Sequence, residues 1–244
     1  MKTRVTYLDH SGFVVDREEV AVVFDYYRDP SDALKRILEA NPKKPVLFFV
    51  SHCHEDHFNH AIFNMAQNHQ RMYVLSDDIN GNGIGDSLPV AWIHDGGAIE
   101  RLPGNVSVRA FGSTDKGVSY YVTFNDGTTC FHAGDLNYWH WQDESTVKEV
   151  RTAYAGFVHE MQRIMALTRS IDIVFFPVDP RQGTDYANGA RLFMENIDVA
   201  NFFPMHFWGD ASAVTCFEDY ATDNTVCHAL TMPGASVDIG DRCM

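Results

Sequence analysis

Residues 46–57 read Val46-Leu47-Phe48-Phe49-Val50-Ser51-His52-Cys53-His54-Glu55-Asp56-His57. The first five form a continuous apolar run between Pro45 and Ser51, which predicts a strand buried on both faces. His52, His54, Asp56 and His57 then supply metal-ligating side chains within six consecutive positions. Alternate residues of an extended chain share a face, so His52 and His54 can grip one ion together. Asp56 and His57 follow where the chain turns toward a helix and can face a second ion nearby. A loop just beyond a buried strand is held by a rigid scaffold, as a catalytic loop must be. Imidazole nitrogen with carboxylate oxygen suits zinc, and also iron or manganese. The expected cofactor is therefore one or two divalent ions, Zn2+ first, with Mn2+ or Fe2+ as alternatives.

On the N-terminal side, Arg4 to Leu8, Phe13 to Val15 and Val20 to Asp25 are short β-branched or aromatic runs broken by turn residues. Pro30-Ser31-Asp32 predicts a helix to about Ala40, capped by Ser31 or Asp32. Past the histidines a helix is expected from Asn59 to about Asn68. Strands are expected at Met72 to Leu75, Val106 to Phe111, Val118 to Phe124 and Thr128 to Phe131. From Glu144 to about Thr168, apolar residues recur at helical spacing. Ile171 to Pro177 reads as a buried strand, Tyr186 to Asn196 as a helix and Asn201 to Pro204 as a strand. Ala211 to Ala221 reads as a helix, and a short strand closes the chain near Val237. The pattern predicts an α/β fold, with two packed sheets and helices outside.

The 244 residues suffice for one large domain, and residues 1–244 are expected to form a single one. The five cysteines are scattered without a CxxC pair, which argues against a disulfide framework or a four-cysteine zinc site. A formal charge of −14, with no basic cluster, disfavours nucleic acid and leaves a small-molecule substrate as the expected partner. No apolar run approaches the length of a membrane span, and a cytoplasmic protein is expected.

The segment His52-Cys53-His54-Glu55-Asp56-His57 resembles the HxHxDH signature of the metallo-β-lactamase-fold hydrolases. Tyr7-Leu8-Asp9-His10-Ser11-Gly12-Phe13 and Val22-Val23-Phe24-Asp25 are similar to that superfamily's opening hairpin and acidic turn. Phe131-His132-Ala133-Gly134-Asp135 is similar to its later Gly-Asp turn, and Phe203-Pro204-Met205-His206-Phe207 to its last ligand strand. The pieces occur in the family's order over most of the chain, and they look nearest to its lactonase-like branch. The resemblance implies a four-layer αβ/βα sandwich with the site at one edge of the two sheets. It assigns His52 and His54 to a first metal, Asp56, His57 and His206 to a second, and Asp135 to both. The family supplies one more histidine to the first metal, but Ala110 to Gly117 contains none. The first ion is therefore expected to bind more weakly, unless Ser113, Thr114 or Asp115 completes its site.

Further candidates follow from position. Asn137-Tyr138-Trp139-His140-Trp141 comes soon after the Gly-Asp turn, so Trp139 is a candidate pocket wall and His140 a candidate proton carrier. Arg181, after a buried strand, is a candidate for binding a carboxylate or phosphate. His10 at the first hairpin is placed where it can reach the site, although a structural hydrogen bond is the favoured reading. The expected chemistry is hydrolysis by metal-activated water, with Asp56 orienting the nucleophile, on an ester, lactone, amide or phosphodiester. No GxSxG elbow offers a protein nucleophile. An iron-dependent oxidoreductase and a non-catalytic metal sensor are the alternatives on the same ligands.

Overall fold

Val46–Val50 is a strand buried at every position and sits inside a seven-stranded sheet of the protein. The structure, a computed structural model, describes residues 2–80, 83–84, 87–215 and 224–240. Numbered in chain order, this first sheet comprises β1 (Thr3–Asp9), β2 (Gly12–Asp16), β3 (Ala21–Phe24), β4 (Val46–Val50), β5 (Arg71–Ser76) and β6 (Val90–Ile93). β14 (Ser236–Ile239) joins it beside β1. The second sheet comprises β7 (Ala98–Leu102), β8 (Val106–Phe111), β9 (Ser119–Thr123), β10 (Thr129–His132), β11 (Ser170–Pro177), β12 (Asp198–Met205) and β13 (Val226–Cys227). Pairing is parallel from β3 to β6 and from β10 to β13, and antiparallel elsewhere.

Strand alternation divides the apolar residues between two layers. Phe13, Val22, Phe24, Leu47 and Phe49 enter the core between the sheets, while Val14, Val23, Val46, Phe48 and Val50 face the opposite side of the first sheet. There α1 (Ala33–Ala40) packs through Ala33 and Leu34. Phe175 and Phe203 meet Phe13 across the sandwich. On the second sheet's outer face, Phe131 and Phe176 pack against Phe193 of α3 (Asn188–Asn196), and Phe176 also meets Phe157 of α2 (Val147–Leu167). Each fully buried phenylalanine contributes roughly 1.5–3 kcal/mol by leaving water. The layers are helix, sheet, sheet, helix: the αβ/βα sandwich.

Several local expectations are corrected. α1 is not capped by Ser31 or Asp32: Asp32 is left-handed (φ 54°), and the Asp29 carboxylate instead accepts the Leu34 amide at 2.8 Å. The helix expected over Asn59 to Asn68 is one 3-10 turn, His60–Asn64. Arg71 takes the Phe63 and Met65 carbonyls, which a longer helix would need for its own ladder. α2 starts at a Thr146/Glu149 capping box, later than Glu144. The edge strands β6 and β7 lack a sequence signal because they are only partly buried. α4 (Ser212–Thr215) begins the helix expected to Ala221, whose remainder lies outside the described residues. No helix among the described residues is long and apolar enough to cross a membrane.

The parallel strands of both sheets end toward one edge of the sandwich. Asp25 follows β3, Ser51 and His52 follow β4, Asp135 follows β10, Asp179 follows β11 and His206 follows β12. The carboxyl ends of parallel strands are where α/β sheets present their sites.

Candidate metal centre

Two turns must approach each other closely to build this edge. Gly134 (φ 54°) lets the turn before Asp135 rest on Ser51, since a Cβ there would come within 2.8 Å of the Ser51 Cβ. Gly117 (φ 63°) packs even closer, and a Cβ there would overlap the Ser51 carbonyl oxygen. His132 supports the Gly-Asp turn. Its Nε2 donates to the Ser11 carbonyl at 2.9 Å, and its Nδ1 accepts the Gly134 amide at 3.2 Å. Cys53 turns away into the outer core, leaving His52 and His54 on the site side.

Seven side chains converge there in two groups, His52, His54 and Asp135, and His10, Asp56, His57 and His206. His52 Nε2 is 3.0 Å from His54 Nδ1 and 3.3 Å from Asp135 Oδ2. The other carboxylate oxygen, Asp135 Oδ1, is 3.1 Å from His57 Nε2 and 3.4 Å from His206 Nε2. Asp135 thus faces both groups, as a bridging ligand does. His10 Nε2 lies 3.2 Å from Asp56 Oδ2. Donors on one tetrahedral ion, at bonds of about 2.0–2.2 Å, stand roughly 3.3–3.6 Å apart, so these spacings are close to the edges of a coordination polyhedron. The buried atoms His10 Nε2, His57 Nε2 and Asp135 Oδ1 make no well-formed hydrogen bond and have only the close ion-pair contacts just given. Polar atoms stripped of water and left unpaired are costly unless something else binds them. The residues fit a divalent metal.

A second layer of groups fixes the imidazole tautomers. The buried Asp25 carboxylate accepts the Ser51 amide at 2.7 Å, the Ser51 hydroxyl at 2.6 Å and His57 Nδ1–H at 2.7 Å. With its hydroxyl proton committed to Asp25, Ser51 Oγ accepts His52 Nδ1–H at 2.9 Å. Asp179 accepts His206 Nδ1–H at 3.0 Å. All three rings therefore turn Nε2 inward, the arrangement that holds metal-binding histidines in place. Burial opposes charge throughout, but the partners outweigh it. Burial alone would lower the His57 pKa, yet Asp135 and Asp25 raise it well above its ordinary value. Burial would raise Asp135, yet His57, His52 and His206 hold it well below the carboxylate range. Asp56 is likewise held low by His10 and His57 against burial. His10 goes the other way: burial pushes it down to about 4, despite Asp56. It is neutral at neutral pH, as a metal ligand must be.

Beside the ligands opens a cavity of about 240 Å3 lined by Thr114, Asp115, Asp135, Trp139, Trp141, Arg181 and His206. Trp139 donates its indole N–H to the Asp135 carbonyl at 2.8 Å, and its ring stands 5.6 Å from that of His206. Arg181 is gripped by Asp179 and lies over Trp208, 4.4 Å from the ring centre. A larger groove of about 570 Å3, between α1 and residues 65–69, contains none of the seven ligand candidates.

The structure brings together His52, His54, Asp56, His57, Asp135 and His206, with Trp139 and Arg181 at the cavity, but not His140. Buried His140 donates from Nε2 to the Asp185 carbonyl at 3.1 Å and accepts the Gln142 amide on Nδ1 at 3.1 Å. Both ring nitrogens pin loops together, so the proton-carrying role expected for it is corrected to a structural one. Nor does Thr114 complete the first group, because its hydroxyl donates to the Asn137 carbonyl at 2.6 Å and accepts the Asn137 amide at 2.9 Å. Asp115 is exposed at the cavity, and Ser113 and Asp115 belong to neither ligand group. Sequence reasoning underweighted His10 and gave no role to Asp25. Their left-handed backbone (φ 54° and 40°) is invisible in composition, although both stand in the turns that carry the family resemblance.

The sequence model of a family described as "Beta-lactamase superfamily domain" matches residues 4–206. A UPF0173 metal-dependent hydrolase of Nitratidesulfovibrio vulgaris (strain Hildenborough) is 26% identical over 230 residues, covering 86% of this chain and 81% of the relative. Igni18, a metallo hydrolase from Ignicoccus hospitalis, superposes with a TM-score of 0.67 at 19% identity, covering 99% of this chain and 100% of that one. CmlA, a diiron β-hydroxylase from Streptomyces venezuelae, shares the fold at TM-score 0.59 and 11% identity, over 97% of this chain and 54% of that one. With the ligand order, the sandwich and the family match all in agreement, this chain belongs to the metallo-β-lactamase-fold superfamily of metal-dependent hydrolases.

Proposed function

We propose that the protein hydrolyses a small anionic ester, lactone, amide or phosphodiester with water activated at the His52–His206 centre, Zn2+ being the resident ion. The supporting observation is the coincidence of unpaired, inward-facing ligand atoms with a small cavity that carries its own cation. His52, His54, Asp56, His57, Asp135 and His206 would hold the divalent ion, which would supply Lewis-acid chemistry: a bound water acidic enough to ionise near neutrality and polarisation of the oxygen of the bond under attack.

The chain's own residues do the rest. Asp25, Ser51 and Asp179 hold three imidazoles in their ligating tautomers. Asp56 is kept ionised by His10 and His57 and orients the attacking water through its carboxylate. Trp139 and Trp141 wall the cavity and limit bulk water around the reacting bond. Arg181 Nε and Nη2 are spent on Asp179, whereas its Nη1 has no protein partner among the described residues. That group is available to bind a substrate carboxylate or phosphate oxygen. About 240 Å3 is below the roughly 300–1,000 Å3 of drug-sized pockets, which favours a small molecule over a polymer.

The test is a panel of lactones, carboxylic esters and phosphodiesters, with and without an anionic group, assayed on protein loaded with Zn2+, Mn2+ or Fe2+. Anionic members should be preferred, and Asp56→Asn assayed at saturating metal should lose at least about a hundredfold in kcat, because it removes both a ligating charge and the group that orients the water. No turnover of any member by any loaded form would sink the proposal. Substrate-dependent oxygen uptake by the Fe2+ form would select the oxidoreductase alternative.

A further inference from the structure

The ligand candidates are unevenly divided. His52 and His54 group with Asp135, whose Oδ2 stands 3.3 Å from His52 Nε2, and no third histidine joins that group among the described residues, whereas His57 and His206 face Asp135 Oδ1 and group with Asp56 and His10. His10 belongs to neither the HxHxDH segment nor the Gly-Asp turn; it stands at the tip of the β1–β2 hairpin.

Its position is built. The His10 amide donates to the Tyr7 hydroxyl and to Asp9 Oδ1, both at 2.8 Å. Arg28 holds Asp9 from outside. The His10 carbonyl accepts the His206 amide at 3.2 Å, tying the hairpin to the end of β12. These bonds keep His10 in a left-handed conformation that drives its ring inward, 3% exposed, between His206 and Trp208. Its Nε2 then ends 3.2 Å from Asp56 Oδ2, buried and without a well-formed hydrogen bond. A purely structural histidine would hydrogen-bond both ring nitrogens where buried, as His132 and His140 do here. His10 instead aims an unpaired nitrogen at three metal-ligating side chains.

We propose that His10 is itself a ligand, joining Asp56, His57, His206 and Asp135 on one tightly held ion, while His52 and His54 hold a second ion only weakly. The inference rests on the metal-centre reading above but is independent of which substrate is turned over. Four or five protein donors still leave room for water on an ion that accepts up to six ligands. The protein should therefore act with one tight ion per chain.

Two measurements on the whole protein test this. The first titrates metal-free protein with Co2+ and Zn2+ against a chromophoric chelator, for wild type, His10→Asn, His10→Gln and His52→Ala. Asparagine tolerates the left-handed conformation that alanine does not. The wild type should show one tight and one weak ion. The His10 variants should bind the tight ion at least about tenfold more weakly, with a changed visible spectrum of bound Co2+. His52→Ala should lose the weak ion and keep the spectrum of the tight one. Unchanged affinity and spectrum in the His10 variants would overturn the assignment. The second needs no variant: X-ray absorption of wild type at one equivalent of Zn2+ should count three imidazoles, and a count of two overturns the proposal. An intact three-imidazole site without turnover on the substrate panel would refute only the hydrolytic proposal.

Discussion

Asp25→Asn removes a charge from a carboxylate that belongs to neither ligand group yet governs two of the candidate ligands. Its Oδ1 accepts the Ser51 amide, and its Oδ2 accepts both the Ser51 hydroxyl and His57 Nδ1–H. An asparagine that keeps its oxygen toward the Ser51 amide must place its NH2 against those two donors. His57 then has to carry its proton on Nε2, the nitrogen that faces Asp135, and His52 loses the hydroxyl orientation that fixes its own ring. Removing such an outer partner costs about 10–100-fold in metal affinity, or roughly 1.4–2.7 kcal/mol. The metal-free protein should lose less than its three hydrogen bonds suggest, on the order of 1–3 kcal/mol, because a buried carboxylate is itself costly. The assays are chelator competition for affinity and urea unfolding of the metal-free protein for stability. If the variant is destabilised but its metal affinity stays within about threefold of wild type, Asp25 is only a brace for Ser51 and the tautomer argument fails.

His140→Gln should leave kcat/KM within about threefold and lower stability by roughly 1–2 kcal/mol, the cost of its two backbone hydrogen bonds; a large loss of kcat in a stably folded variant would restore its catalytic role. Arg181→Met should raise KM for anionic substrates at least about tenfold and affect neutral analogues little, with kcat nearly unchanged if the contact is equally strong in ground and transition states. Metal binding should release protons. The His57 pKa is raised above its ordinary 6.5, so between that value and its folded value the metal-free centre holds a proton that an ion must displace. Calorimetry in buffers of different ionisation enthalpy should find about one proton released near pH 7, with affinity rising up to about tenfold per pH unit. The same shift stabilises the metal-free fold fully below about pH 6.5, and that contribution is lost as pH rises through the folded pKa. Asp135 has the opposite sign: its contribution is present above the ordinary carboxylate pKa and is lost as pH falls through its depressed one.

The candidate ligands were the residues most legible in sequence, because several of them fall in one short stretch and the others follow it in family order. His52 to His57, Asp135 and His206 could be named on that basis, as could the buried strand before them. What sequence could not show was pairing across long separations at atomic range. Asp25 reaches His57, and Asp179 reaches His206, only because β3 with β4, and β11 with β12, are parallel neighbours in register. His140 misled for the opposite reason. It lies close in sequence to the metal turn, yet the loop through Trp141 (φ 42°) leaves its ring bonded to the Asp185 and Gln142 backbone. The edge strands β6 and β7 escaped because partial burial weakens the alternation that marks a strand.

The ligand set spans both sheets, and this has a consequence for stability. His10, His52, His54, Asp56 and His57 come from turns of the first sheet, whereas Asp135 and His206 come from the second. Without an ion, the edge packs four carboxylates (Asp25, Asp56, Asp135 and Asp179) against six imidazoles (His10, His52, His54, His57, His132 and His206). With one, the ion joins the sheets at the place where hydrophobic packing gives way to polar atoms. Binding free energy for an ion that the unfolded chain holds poorly adds directly to folding, about 4 kcal/mol at a thousandfold excess over Kd. That increment should appear at the sandwich edge before it appears in the core between Phe13, Phe49 and Phe175. Hydrogen exchange should therefore slow first at the amides of Ser51, Asp25 and His206 when the tight ion binds, and Phe49 at the centre of the sheet should change only when global unfolding becomes its route of exchange. Uniform protection across the chain would mean that the edge and the core open together, and that the ion is a keystone of the whole sandwich rather than a clasp on one side.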